Sequence, residues 1–168
     1  MKTNKDEKIK VIWRFIDGKA GHDKQSLGLV ENLKNQTKCR VFDFNVQNQT
    51  NPILNIIFNN YKLPKGIKKP DIAIGAGHKT HLHLLAVKRC LNAKIVVIMK
   101  PSLPLKLFDL CVIPQHDDVK SSSNVFITNT PLVNFNLKTK KKENMGLFLI
   151  GGPSKHFYWD SKILLEQI

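Results

Sequence analysis

Proton-transfer and anion-binding groups cluster in three glycine-bearing loops of this 168-residue chain, each directly behind a short apolar run. Asp17, Gly18, Gly21 and His22 follow residues 11–16, Gly75, Gly77 and His78 follow residues 71–74, and Gly151, Gly152, Ser154 and Lys155 follow residues 147–150. Glycine behind a buried strand lets backbone N–H groups approach an anion at the start of the next helix. The arrangement predicts a cleft for a nucleotide- or sugar-type ligand. His22 adds an imidazole whose ordinary pKa is about 6.5, and its place where a loop becomes a helix favours the neutral, accepting form. Asp17 can orient that ring or meet a ligand hydroxyl. The same loop could equally be a tight turn that Gly18 and Gly21 permit and Asp17 caps.

Other residues allow narrower readings. His78, His81 and His83 invite a metal, but His81 and His83 fall on different faces of any helix, and no acid or cysteine lies within the cluster. No metal and no cofactor is expected, and these histidines should be exposed or cap a loop. Lys100 and Ser102, set among Pro101 and Pro104, could hold an acceptor or phosphate oxygen, or the prolines could only end a strand. Residues 146–155 fail as a phosphate-binding P-loop, because Gly151 is followed by Gly152 and Pro153 where a lysine and a hydroxyl are required. Phe157, Tyr158 and Trp159 could stack on a sugar or base, or pack a second domain.

The elements that must carry these loops alternate between strand-like and helix-period segments, the pattern of a parallel sheet with helices on both faces. The fold class is α/β and Rossmann-like. Strands are expected at residues 11–16, 41–44, 70–74, 94–99, 110–113 and 125–127. A helix is expected at residues 24–34 with Leu27, Val30 and Leu33 inward, a short one from Pro52 through Tyr61, and one capped by Thr80 and running to Asn92. Residues 1–134 form the first domain, residues 135–145 a lysine-rich hinge, and residues 146–168 the first strand and helix of a second domain left unfinished.

Composition narrows the partners. The chain is 42% hydrophobic and 24% charged, which suits one full core and little more. Its net charge of +14 suggests a polyanion, yet only Arg14, Arg40 and Arg89 are arginine and the lysines are scattered. Bidentate reading of bases and phosphates favours arginine, so specific nucleic-acid binding is not expected. Weak attraction to anionic lipid is the better fit. The longest apolar runs are far short of the roughly 18 residues of a membrane span, and the acid-containing first eight residues do not read as a signal or transit peptide. A cytoplasmic protein, peripheral at a membrane at most, is the expectation. Cys39, Cys90 and Cys111 lack metal or redox spacing and read as buried free thiols.

Four blocks carry a resemblance. Asp17-Gly18-Lys19-Ala20-Gly21-His22 with Gln25-Ser26-Leu27-Gly28-Leu29, Gly75-Ala76-Gly77-His78-Lys79-Thr80-His81, Met99-Lys100-Pro101-Ser102-Leu103-Pro104 with Phe108-Asp109-Leu110-Cys111, and Gly151-Gly152-Pro153-Ser154-Lys155-His156 resemble, in that order, the mitochondrial-fission ELM ("elongated mitochondria") family. That family is similar to glycosyltransferases of the GT-B type, in which two Rossmann-like domains face each other across a cleft. The resemblance implies transfer of a sugar from a nucleotide sugar to a hydroxyl acceptor, with this chain supplying the acceptor side. His22 would then be the base, and Gly151, Gly152, Ser154 and Lys155 would face the donor diphosphate. The plant member of the family recruits a fission factor at the mitochondrial surface, which implies the alternative of a non-catalytic adaptor with a protein partner.

Overall fold

The computed structural model describes residues 9–133, 146, 150, 152 and 158–167. In chain order it holds β1 (Lys10–Ile16), α1 (Ala20–Gln36), β2 (Cys39–Asn45), α2 (Pro52–Phe58), β3 (Ile72–Ala76), α3 (His81–Leu91), β4 (Lys94–Ile98), β5 (Leu110–Pro114), β6 (Val125–Thr128) and α4 (Ser161–Glu166). The six strands form one sheet in the order β2-β1-β3-β4-β5-β6, and every pairing is parallel.

Alternation along β1 sorts the core into two layers. Val11, Trp13 and Phe15 face one side, where Ala73, Ile95, Val97 and Ile113 join Leu84 and Val87 of α3. Ile12 faces the other, with Ile74, Ala76, Ile98 and Val30 of α1. Both sheet faces are therefore buried, as a parallel sheet requires, and the α/β class with helices on both faces holds. Register puts Arg14 of β1 opposite Asp43 of β2. The Arg14 guanidinium donates from Nε to Asp43 Oδ1 at 2.8 Å, from Nη2 to Asp43 Oδ2, and from Nη1 to the Asp23 carbonyl at 3.2 Å. The hydrogen bond to Asp43 raises its pKa against the opposing effect of burial. One buried cation thus ties the first turn of α1 to two strands.

Several local expectations change. α1 starts at Ala20 rather than residue 24, and its buried positions are Ser26, Gly28 and Val30. Leu27, expected inward, is 40% exposed, because the helix lies rotated so that the small residues approach the sheet. α2 ends at Phe58 instead of Tyr61, with Asn59 left-handed at φ 48° and Asn51 capping its start by accepting the Ile53 N–H at 2.9 Å. Thr80 precedes α3 but does not cap it. Its backbone is helical, and its hydroxyl donates back to the Gly77 carbonyl at 2.8 Å. Of the cysteines, Cys111 is buried and its thiol is pushed up to about 11 by burial, whereas Cys39 and Cys90 are half-buried rather than buried.

By contact the chain divides into two units, Met1–Phe135 and Asn136–Ile168. In the second, Asp160 caps α4 by accepting the Lys162 N–H at 2.8 Å. The expected hinge at residues 135–145 and residues 147–149 of the expected strand lie outside the described residues.

Candidate active site at the β1–β3 switch point

The strand order places β2 on one side of β1 and β3 on the other. The loops leaving β1 and β3 turn to opposite faces of the sheet, one into α1 and one into α3, and open a crevice beyond their carboxyl ends. Open α/β sheets bind ligands at such a switch point.

Asp17 directly follows β1, and Gly18 turns the chain at φ 80°. One carboxylate oxygen of Asp17 accepts the Lys19 N–H at 3.1 Å, while the other lies 2.9 Å from Nδ1 of His22 in the first turn of α1. One oxygen of Asp17 thus holds the turn and the other meets the ring. Its side chain is completely buried and that of His22 is 17% exposed. Burial acts to raise the Asp17 pKa, but the hydrogen bonds from His22 and from the Lys19 backbone outweigh it and hold the carboxyl below its ordinary value. An ionised carboxylate can only accept, so Nδ1 of His22 donates to Asp17 and Nε2 is the ring nitrogen left for another partner. The carboxylate–imidazole dyad has the geometry by which a carboxylate orients a ring.

Gly77 arrives from β3 beneath the ring. At φ 81°, a Cβ on Gly77 would lie 2.2 Å from His22 Nδ1, 2.4 Å from Cε1 and 3.0 Å from Asp17 Oδ2. Two of the three glycine loops therefore meet at the imidazole. Asp23, absent from the sequence reading, stands one residue beyond His22, and burial followed by the charge of Asp17 raises its carboxyl. Only its place in the first turn of α1 could have marked it.

The remaining candidates are placed differently. Gly75 lies inside β3, where its missing side chain makes room for Thr80 and Leu84: an added Cβ would be 2.6 Å from the Thr80 hydroxyl. Gly21, in the first turn of α1, has open space around it. His78 is exposed at the crevice mouth. His81 and His83 are buried rather than exposed, and burial lowers both pKa values, with the charge of His78 adding to the effect on His81. Ser102 sits beyond β4 with its hydroxyl 3.3 Å from His81 Nδ1. Lys100 donates its backbone N–H to Asp117 Oδ2 at 3.0 Å and its ammonium to the Asp117 carbonyl at 3.1 Å, which fastens β4 to the turn after β5. Just before it, Met99 adopts φ 72°, a strained value for a side-chain-bearing residue that no sequence signal announced. Among the described residues no group of three or more His, Cys, Asp or Glu side chains could hold a metal. Gly152 is in open space, and Gly151, Ser154 and Lys155 lie outside the described residues.

The sequence model of the family described as mitochondrial fission ELM1 matches residues 20–168. An uncharacterized protein of Rickettsia prowazekii (strain Madrid E) is 28% identical over 118 residues, which make up 63% of this chain and 32% of the relative. The chain thus spans about a third of that relative's length. No solved structure matches it.

Proposed function

The chain belongs to the mitochondrial fission ELM1 family, and from that premise we propose that it forms the acceptor side of a GT-B-like glycosyltransferase, which moves a sugar from a nucleotide sugar to a hydroxyl. The observation that carries this reading is the His22–Asp17 pair, 2.9 Å apart on the floor made by Gly77, at the sheet's switch point. Sugar transfer to a hydroxyl needs a base for the acceptor proton and donors for the departing diphosphate. Nε2 of His22 would take the proton as the acceptor oxygen bonds to the anomeric carbon and the bond to the diphosphate oxygen breaks. Asp17 would hold the ring in its accepting tautomer and stabilise the imidazolium that forms. Ser102 and His78, at the neighbouring strand ends, would meet acceptor hydroxyls.

The test is nucleoside diphosphate release across a panel of nucleotide sugars and hydroxyl acceptors, by the full-length protein. His22→Ala should lower turnover about 10²- to 10⁴-fold, the usual contribution of a positioned base. Asp17→Asn should lower it as well, because an amide can donate to Nδ1 and so reverse the tautomer. Full turnover in His22→Ala would remove the mechanism. A second reading, a non-catalytic adaptor at a membrane surface, is favoured by the exposed apolar residues of α2. It predicts association that survives His22→Ala.

A further inference from the structure

Away from the dyad, α2 turns most of its apolar residues outward. Ile53, Leu54, Ile57 and Phe58 are all exposed, Ile57 at 62% and Phe58 at 73%. No residue of this seven-residue helix is buried, although Asn51 and the left-handed Asn59 fix both of its ends. Propensity does not explain a helix that is apolar at every position but Asn55 and turned outward, since such surface is ordinarily covered or functional.

Beside it runs a groove of about 450 Å³ between α2, the last turn of α3 and the turn at Leu105–Leu107. Ile56, Leu85 and Leu107 make its apolar lining, and Lys88, Arg89 and Lys106 its cationic lining. Lys88 is committed within the fold, pairing with Asp109 at 3.2 Å and donating to the Leu107 carbonyl at 2.9 Å. Arg89 and Lys106 are exposed. The chain leaving α2 adds Lys62, Lys65, Lys68 and Lys69 and no acid before Asp71. Lys62 lines a cavity with Leu54 and Phe58, so outward apolar side chains, a lysine beside them and a cationic groove share one region of the first unit.

We propose that this face docks on a bilayer of anionic phospholipids. Ile57 and Phe58 enter the boundary between headgroups and acyl chains, Arg89 and Lys106 meet headgroup phosphates, and the lysines that follow α2 meet the surrounding anionic surface. A bilayer supplies hydrocarbon and phosphate together, which is the combination that interfacial helices with an apolar face and flanking cations recognise. Arg89 lies in the last turn of α3, whose first turn follows residues 78–80 after the Gly77 that floors the dyad. The docked face is therefore centred toward the opposite edge of the sheet and leaves the crevice open, so the proposal stands under either functional reading.

The experiment is co-sedimentation of the 168-residue chain with vesicles of phosphatidylcholine alone and with phosphatidylglycerol added. The chain should follow the anionic vesicles and not the neutral ones. Binding should fall at least about tenfold in the double variant Ile57→Asp, Phe58→Asp, and again in Arg89→Glu with Lys106→Glu. These positions are exposed, and unchanged far-UV circular dichroism checks that the fold persists. Four results overturn the proposal: no binding to anionic vesicles, equal binding to neutral ones, full binding by the Ile57/Phe58 variant, or displacement by inorganic phosphate at matched ionic strength. A concentration-dependent self-association that disappears in the Ile57/Phe58 variant also overturns it, since the occupant is then a second copy of the chain.

Discussion

Gly77 controls the dyad from beneath. Its φ of 81° is one that side-chain-bearing residues adopt at a cost of about 1 to 3 kcal/mol, and the space a Cβ would fill is occupied by the His22 ring, 2.2 Å away at Nδ1. Asp17 is tied to the Lys19 N–H and β1 is pinned between two strands, so the group free to yield is the imidazole. Gly77→Ala should therefore lower the proposed sugar transfer nearly as much as His22→Ala while the sheet persists. It should also abolish the hydrogen-bonded Nδ1 proton resonance of His22 in nuclear magnetic resonance spectra. Retention of that resonance in Gly77→Ala would show that the ring does not depend on this floor. The glycine-bearing turns that follow β1 and β3 were legible in the sequence. That they converge on one side chain was not, because adjacency of β1 and β3 is a property of strand order, which no local pattern encodes.

At the level of elements, β3 and α3 dock through a second glycine with a different duty. Gly75 reads in sequence like Gly77, two residues apart in one motif, yet it lies in the strand and faces Thr80. An alanine Cβ there would lie 2.6 Å from the Thr80 hydroxyl and 2.8 Å from its Cβ. Gly75→Ala should destabilise the protein by about 1 to 3 kcal/mol, the usual penalty for overpacking, read as a lower urea midpoint. Thr80→Ala in the same chain should not restore it, since the clash includes Cβ, and recovery by that change would mean that the hydroxyl alone sets the spacing. The strands were largely readable because continuous apolar runs such as residues 95–99 have few other uses. Helix faces were less so. In α1 the small residues Ser26 and Gly28 approach the sheet and Leu27 stays outside, a choice made by close packing between helix and sheet rather than by hydrophobic period. Thr80 likewise has a capping residue's identity but spends its hydroxyl on the turn before the helix.

For the whole molecule, buried titratable groups fix how stability follows pH, in two separate windows. His81 and His83 have folded pKa values lowered by burial, against about 6.5 in the unfolded chain. Below about 6.5 the unfolded state binds more protons than the folded one, so stability falls as pH drops from neutrality through that value. Asp17 and Asp109 come later. Burial would raise both, but Asp17 is held low by His22 and the Lys19 N–H, and Asp109 by the Ile95 N–H with Lys88 and Lys94. Their stabilisation is fully present above the ordinary carboxylate value of about 4 and is lost as pH falls through their lowered folded values. His83 separates the first window from the second. Its ring faces Phe15 at a centroid distance of 5.6 Å, and its Nδ1 has no hydrogen-bond partner among the described residues. His83→Leu should leave stability at pH 8 within about 1 kcal/mol or raise it, since an unsatisfied polar atom is removed. Between pH 7 and 5.5 the variant should lose visibly less than the parent, and below pH 4 the two curves should descend together. Urea midpoints across that range decide it: parallel curves from pH 8 to 5.5 would mean that His83 takes up its proton without unfolding cost, and the first window would then belong to His81 alone.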